Sequence, residues 1–147
     1  MKSAGIFVSI ALLAGAAIAA EKKVKMQDLP APVLKTVQEQ TKNAELKGLS
    51  KEVEDGKTMY EVETIANGKS RDMLVDPTGA IVEVEEQASL DSIPAPAKAA
   101  IEKAAKNGKV LKVETVTKGS AVSYEAVVSK NGKKSEVAVE ADGTIKK

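Results

Sequence analysis

Polar and apolar residues follow two patterns along the chain, and each pattern occurs twice. Within 33–41 and 97–105, apolar side chains recur every three or four positions, as on one face of a helix. Within 58–66 and 122–130, apolar and polar residues alternate, as in a strand with one buried face. The patterns predict a helix and then strands near 46–54, 58–66, 70–76 and 80–86, with the same elements 64 residues later.

Both predicted helices open on an unusual proline pair. The sequence reads "LPAPV" at 29–33 and "IPAPA" at 93–97. Proline is tolerated in the first helical turn, where backbone N–H groups have no acceptor within the helix. Asp28 and Ser92 lie just upstream and are candidate helix caps. The proline pairs therefore indicate two helix starts.

The chain repeats itself without a gap. Residues 29–83 align with 93–147 and share 13 identities in 55 positions, clustered at helix starts and at turns such as Asn67-Gly68 and Asn131-Gly132. Asn-Gly pairs supply the positive φ angles of tight hairpins. The sequence thus predicts two tandem repeats, 21–87 and 88–147, each a helix followed by a four-stranded antiparallel meander.

A unit of about 60 residues is marginally stable alone. We therefore expect the two repeats to share a core and to unfold in one cooperative transition. Joining their sheets edge to edge predicts an α+β fold with one eight-stranded sheet and both helices on one face. The other face of the sheet is then open to solvent or to a partner.

The first 20 residues have the pattern of a signal peptide. Lys2 is followed by an apolar run, and Ala17-Ile18-Ala19 offers the small residues that a signal peptidase accepts. We predict cleavage after Ala19 or Ala20, a periplasmic or secreted protein, and no membrane span in the mature form. The chain has no cysteine, so disulfides cannot stabilise it.

Composition argues against two classes of function. Without Lys2, 21 basic residues balance 21 acidic ones, which does not favour a nucleic-acid binder. The absence of histidine and cysteine removes the commonest general base and every thiol nucleophile. We therefore expect no enzyme activity, no catalytic residues and no cofactor.

Charge is divided unevenly between the repeats. Residues 21–87 carry 10 basic and 14 acidic side chains, whereas 88–147 carry 11 and 7, giving net charges of −4 and +4. This division favours either electrostatic steering of a partner or attraction between the repeats, and both remain open.

Acidic residues late in the first repeat could supply oxygen ligands to calcium. No EF-hand spacing is present, and alternating glutamates are more typical of a solvated strand face or a protected edge. We expect no metal site among Asp72, Asp76, Glu83, Glu85 and Glu86.

The order of these motifs resembles the periplasmic PepSY-like domain family. The resemblance rests on the Leu-Pro-x-x-Val helix start, the Tyr60-Glu61-Val62 strand, the Asn67-Gly68 turn and the turn from Asp76 to Gly79, and it recurs in the second repeat. It implies a fold grouped with the β-lactamase inhibitory protein, and a secreted binding or inhibitory module of bacterial envelopes.

The open face of the sheet is the candidate binding surface. Tyr60 and Tyr124 occupy the apolar side of their strands and are expected in the core. Their neighbours point the other way and form a small apolar patch with an acidic rim. The candidate partner-binding residues are Met59, Glu61, Glu63, Ile65, Glu125 and Val127.

The sequence thus predicts a non-enzymatic protein-binding module, inhibitor-like in kind, with an unidentified protein partner. The alternative is an envelope stress or chaperone-like protein that binds unfolded chains through its open sheet face.

Overall fold

A computed structural model describes residues 19–54 and 56–146. The predicted signal peptide falls almost wholly on 1–18, outside the described residues. Among the described residues, no helix has the length and apolar character needed to cross a membrane. In chain order the elements are β1 (Ala19–Lys23), α1 (Ala31–Gln40), β2 (Glu45–Glu54), β3 (Lys57–Ala66), β4 (Lys69–Val75), β5 (Ile81–Ala88), α2 (Ala95–Ala105), β6 (Lys109–Lys118), β7 (Ala121–Lys130) and β8 (Lys133–Glu140).

The strands form one antiparallel sheet in the order β1 to β8, so each strand pairs with its neighbours in the chain. This is the α+β fold with an eight-stranded sheet that the sequence predicts. The eight observed strands are not all the predicted ones, however, because one strand is added at the start and the last predicted strand is missing. β1 was not predicted, and it pairs with the edge of β2. The predicted strand after β8 is reduced to a single bridge between Val139 and Ile145.

Both helices pack on the same face of the sheet. Val33 and Val37 of α1 contact strand residues that include Tyr60 and Val62, while Ile101 of α2 packs with a second group that includes Val113. The strand pairing shows that the two groups lie on the same face across the boundary between β5 and β6. Val62 pairs with Met73, Met73 pairs with Val84 of β5, and Ala88 of β5 pairs with Val113 of β6. Paired residues lie on one face of a sheet, so both described helices lie on this face and neither packs on the opposite one.

The hydrophobic core is divided into two clusters, so the expected shared core is wrong. One cluster lies under α1 and the other under α2. At the seam between β5 and β6, the helix-facing pairs include Glu86 with Thr115 and Val84 with Thr117. These polar side chains interrupt the apolar surface between the two clusters, whereas the backbone pairing of β5 with β6 is continuous.

The repeated proline motif forms a close backbone contact. A Cβ on Gly79 would lie 2.6 Å from the Pro32 carbonyl oxygen, and one on Gly143 would lie 2.7 Å from that of Pro96. Both glycines also have φ near +90°, a conformation that disfavours other residues. The N-cap positions are Pro30 and Pro94, without a side-chain cap, so the expected caps Asp28 and Ser92 are wrong. The proline motif thus fixes where each helix meets the turn beside it.

Candidate functional site on the open sheet face

Carboxylate side chains are concentrated on the sheet face opposite the helices. Glu63 of β3 pairs with Asp72 of β4, and Asp72 pairs with Glu85 of β5. Adjacent strands lie about 4.8 Å apart, so these three acids form a close row across the sheet centre.

Further acids extend this row in both directions. Glu52 lies on β2, Glu61 and Glu83 occupy the next row along β3 and β5, and Glu114 pairs with Glu125 across β6 and β7. Glu136 of β8 pairs with Val127 of β7. We call the whole set the acidic strip, and its members are Glu52, Glu61, Glu63, Asp72, Glu83, Glu85, Glu114, Glu125 and Glu136.

Several of these acids are buried although neither described helix packs over them. Glu61 and Asp72 are 6% exposed, Glu114 is 7% and Glu83 is 8%. Val116 lies among them on β6 and is also buried. Because central strands have neighbours on both sides, the side chains shield one another from water. Ionised carboxylates in such surroundings lose hydration, which is costly unless they are paired.

Some of the strip's oxygens have identified partners. The Ser50 hydroxyl donates to Glu61 at 3.1 Å, and the Thr64 backbone N–H donates to Asp72 at 3.3 Å. Lys118 lies 2.6 Å from Glu83. These contacts offset part of the cost of burying the acids.

At the β6–β8 end the pairing is less complete. Lys112 Nζ lies 2.6 Å from Glu114 Oε1 and forms an ion pair with that carboxylate. Glu136 Oε2 is buried and has no hydrogen-bond partner among the described residues. One carboxyl oxygen at this end of the strip is therefore left without a partner.

Burial and mutual repulsion raise the pKa of several strip residues. Burial, reinforced by Glu114 and Glu125, raises the pKa of Glu85 to about 9. Burial and the neighbouring Glu125 raise the pKa of Glu136 to about 8. Burial raises the pKa of Asp72 to about 6 against the opposing effect of Lys112. Burial also raises the pKa values of Glu63 and Glu125. The free protein therefore holds protons on this face near neutral pH.

Contacts within two carboxyl pairs add to the effect of burial. After burial and the nearby acids, a hydrogen bond with Glu83 contributes to the raised pKa of Glu85. After burial, a hydrogen bond with Glu125 contributes to the raised pKa of Glu136. A hydrogen bond between two carboxyl groups requires a proton on one of them. Each pair therefore carries one negative charge less than two ionised acids would.

This arrangement is suited to binding cations. Oxygens of Glu21, Glu61 and Glu63 lie within 4.8 Å of one another, a spacing that could hold a hard metal ion. Among the described residues the strip offers carboxylates and hydroxyls but no histidine or cysteine, so it lacks the usual general base and thiol nucleophile. The chemistry of the face is electrostatic attraction and proton exchange.

The structure places the six predicted binding residues on the open face. Met59, Ile65 and Val127 do not form one patch, however, because Met59 and Ile65 are six positions apart on β3 and Val127 lies four strands away. Glu61 is buried and so is not part of a solvated rim. Glu125 is brought together with Glu61 and Glu63 through the intervening acids of β4 to β6.

The expectation of a solvated face or edge is wrong for Asp72 and Glu83. Both are buried on the central strands β4 and β5. Sequence reasoning missed them as partners of Glu61 because their proximity depends on strand register. One signal was present: the 64-residue offset aligns Glu61 with Glu125 and Asp72 with Glu136.

The prediction for the tyrosines is confirmed. Tyr60 is 7% exposed in the cluster under α1, and Tyr124 packs against the cluster under α2. Neither aromatic ring is therefore presented on the open face.

No protein-family model matches the chain, and no curated protein matches it in sequence. Solved structures show similarity of fold. A Bacteroides eggerthii protein whose name describes it as periplasmic aligns with a TM-score of 0.64 and 19% identity, over 80% of this chain and 85% of its own. A DUF2874 family protein from Bacteroides ovatus aligns with a TM-score of 0.62 and 19% identity, over 81% of this chain and 85% of its own.

A BLIP-like protein from Bacteroides fragilis aligns with a TM-score of 0.53 and 18% identity, over 76% of this chain and 81% of its own. At these identities the similarity concerns architecture, and functional sites can differ on one fold. The chain therefore has a BLIP-like α+β fold.

Proposed function

We propose that this chain is an exported, non-enzymatic module that binds another protein through the open face of its sheet. The Bacteroides structures of the same fold, one of them named as periplasmic, support the periplasmic address. The PepSY-like motif order and the predicted signal peptide support the same assignment.

One observation carries the proposal: the two sheet faces differ. The described helices both pack on one face, and the described residues leave the other face uncovered although it carries the buried carboxylates of the acidic strip. Buried acids on an uncovered face carry a desolvation cost that a complementary partner would offset. A purely structural face would be expected to bear well-hydrated polar residues.

The form of binding differs from an inhibitor built on aromatic anchors. Tight interfaces usually depend on a few Trp, Tyr and Arg side chains. The chain has no Trp, and both Tyr side chains pack toward the helices. The open face is also acidic rather than apolar, which favours a specific charged partner over the chaperone-like alternative.

The proposal is tested by blocking the face with a bulky group. The chain contains no cysteine, so single cysteines can be introduced and modified selectively. Val127→Cys lies on the open face, and Lys35→Cys lies on the exposed side of α1. Each variant is coupled to a polyethylene glycol maleimide, checked by circular dichroism and used as bait in periplasmic extract.

We expect a stoichiometric partner to be captured by modified Lys35→Cys and lost with modified Val127→Cys. Equal capture by both modified proteins would show that the open face is not the binding surface. Capture of many unrelated unfolded proteins in place of one partner would favour the chaperone-like function.

A further inference from the structure

We propose that the acidic strip is the docking surface for an extended, lysine- or arginine-rich segment of the partner protein. This inference rests on the proposed function and adds the chemistry of the partner to it. Charge complementarity, the protein's own lysines and the dimensions of the strip point to this occupant.

The attraction is local and does not come from net charge. Residues 21–147 have equal numbers of basic and acidic side chains, so a cationic chain gains nothing from the overall charge. The nine strip acids nevertheless come from both repeats, because Glu114, Glu125 and Glu136 belong to the net basic one. Folding therefore creates an acidic surface that neither the total charge nor its division between the repeats predicts.

Two lysines of the chain show how the strip holds an ammonium group. Lys112 and Lys118 each place Nζ 2.6 Å from a strip carboxylate, on Glu114 and Glu83 respectively. Both lysines reach the open face from β6 and remain partly exposed. A lysine from a partner would meet the same kind of oxygen along the rest of the strip.

The length of the strip suits a short extended peptide. From β2 to β8 it crosses six strand spacings, about 29 Å at ~4.8 Å each, which about nine extended residues span at ~3.3 Å per residue. The face is a broad, shallow sheet surface, so an extended segment can lie across the strands and contact several acids at once.

Binding of cations should release protons from the strip. Glu85 and Glu136 are protonated near neutral pH, and a nearby ammonium or guanidinium favours their ionised forms. Affinity should therefore rise as pH increases from 6 to 9. The charged groups that face these two residues are Asp72 on β4, Glu83 on β5, Lys112, Glu114 and Lys118 on β6, Glu125 on β7, and Lys146 beside β8.

The test uses octalysine with blocked termini, titrated calorimetrically into the mature protein at low salt. Titration in two buffers of different ionisation enthalpy measures the protons released. The strip variant is Glu85→Gln with Glu125→Gln. The control variant is Glu39→Gln with Glu102→Gln, which makes the same two Glu-to-Gln changes at exposed positions on the helices.

We expect one peptide to bind per protein with proton release, and the strip variant to bind at least ~10-fold more weakly with less proton release. The control variant should bind within ~2-fold of the unmodified protein. Absence of octalysine binding, or equal weakening in both variants, would overturn the inference. If calcium alone gives the same proton release and the strip variant abolishes it, the strip is a metal site instead.

The two proposals can fail separately. Loss of the natural partner on face blocking, combined with full capture by the strip variant, would retain the proposed function and reject a cationic partner segment. Octalysine binding together with unchanged partner capture after face blocking would reject the proposed function. Formation of dimers that require the strip, measured by size-exclusion chromatography with light scattering, would identify a second copy as the occupant and overturn the inference.

Discussion

The two helix-bearing halves of the molecule, residues 29–88 and 93–146, build the same layout with different side chains. The first half buries Tyr60, Met73 and Val37 under α1, whereas the second buries Ala97 and Ala126 among its core residues. Smaller side chains allow a closer approach, and Gly108 meets the β7 backbone directly. The close approach of each turn glycine to its proline motif is kept, because a Cβ on Gly79 or Gly143 would meet the proline carbonyl oxygen at 2.6 or 2.7 Å. The layout is thus set by turns and backbone contacts, while core volume can vary.

The largest expected effect comes from Met73→Ala. Met73 is 2% exposed in the first cluster, and removing its side chain should cost ~4 kcal/mol of unfolding free energy by leaving a cavity. The matched change Val137→Ala, 64 residues later at a partly buried position, should cost ~1 kcal/mol. Urea denaturation measures both.

Similar losses at the two positions would contradict the proposed difference between the halves. The same experiment tests cooperativity. Because β5 and β6 are paired, we expect a single transition in each variant, and two separated transitions would show that the clusters unfold independently.

Gly108→Ala should have the next largest effect. Its Cβ would lie 2.1 Å from the Ser129 carbonyl oxygen, so the end of α2 would have to move away from β7 at a cost of ~3 kcal/mol. The equivalent residue in the first half is already Ala44, and Ala44→Gly should cost ~0.5 kcal/mol. Thermal unfolding of both variants measures the difference. An unchanged melting midpoint for Gly108→Ala would show that the helix does not approach the sheet more closely in the second half.

Arg71→Ala should have a smaller effect, confined to the first half. The guanidinium donates to Glu86 at 3.1 Å and to Gln40 at the end of α1 at 3.0 Å, linking the helix to β4 and β5. A loss of ~1 kcal/mol is expected for these partly exposed contacts. The aligned residue in the second half is the exposed Ser135, and Ser135→Ala should leave the unfolding free energy unchanged. A similar loss of unfolding free energy for Ser135→Ala would show that the Arg71 contacts do not distinguish the first half.

The smallest effects concern pH, at the matched acids Asp72 and Glu136. Their folded-state pKa values are raised to about 6 and about 8, so the folded state holds protons that the unfolded state releases. Stability should therefore be highest at acidic pH and fall as pH rises, up to about pH 6 for Asp72 and about pH 8 for Glu136.

At pH 8, Glu136→Gln should raise the melting midpoint by ~2 °C, and it should have less effect at pH 5. The stabilisation by Asp72→Asn should reach most of its full size by pH 6–7. Differential scanning calorimetry of both variants across pH 4–9 measures the melting midpoints. Identical pH profiles for the two variants would show that Asp72 and Glu136 release their protons over the same pH range.

Much of the sheet could be predicted from local sequence, because the turns that connect its strands have recognisable sequence motifs. Asn67 and Asn131 adopt φ of 53° and 50°, and the alternating strands beside them begin and end within a residue or two of the predicted bounds. β1 could not be predicted, since its short charged sequence has no periodicity and its pairing depends on the edge of β2. The acidic strip required the register of seven strands, which alternation within each strand does not define.

The consecutive order of the strands has a consequence for how the chain folds. Every strand pairs with the one before it, so most sheet contacts are local in sequence and the loop-closure entropy of each hairpin is small. The sheet can therefore grow by adding one hairpin at a time. The link between Thr36 and Gly79 spans 43 residues, so docking of α1 onto its turn has to await β4. We therefore expect a zipper-like folding path in which the meander forms early and each helix docks late.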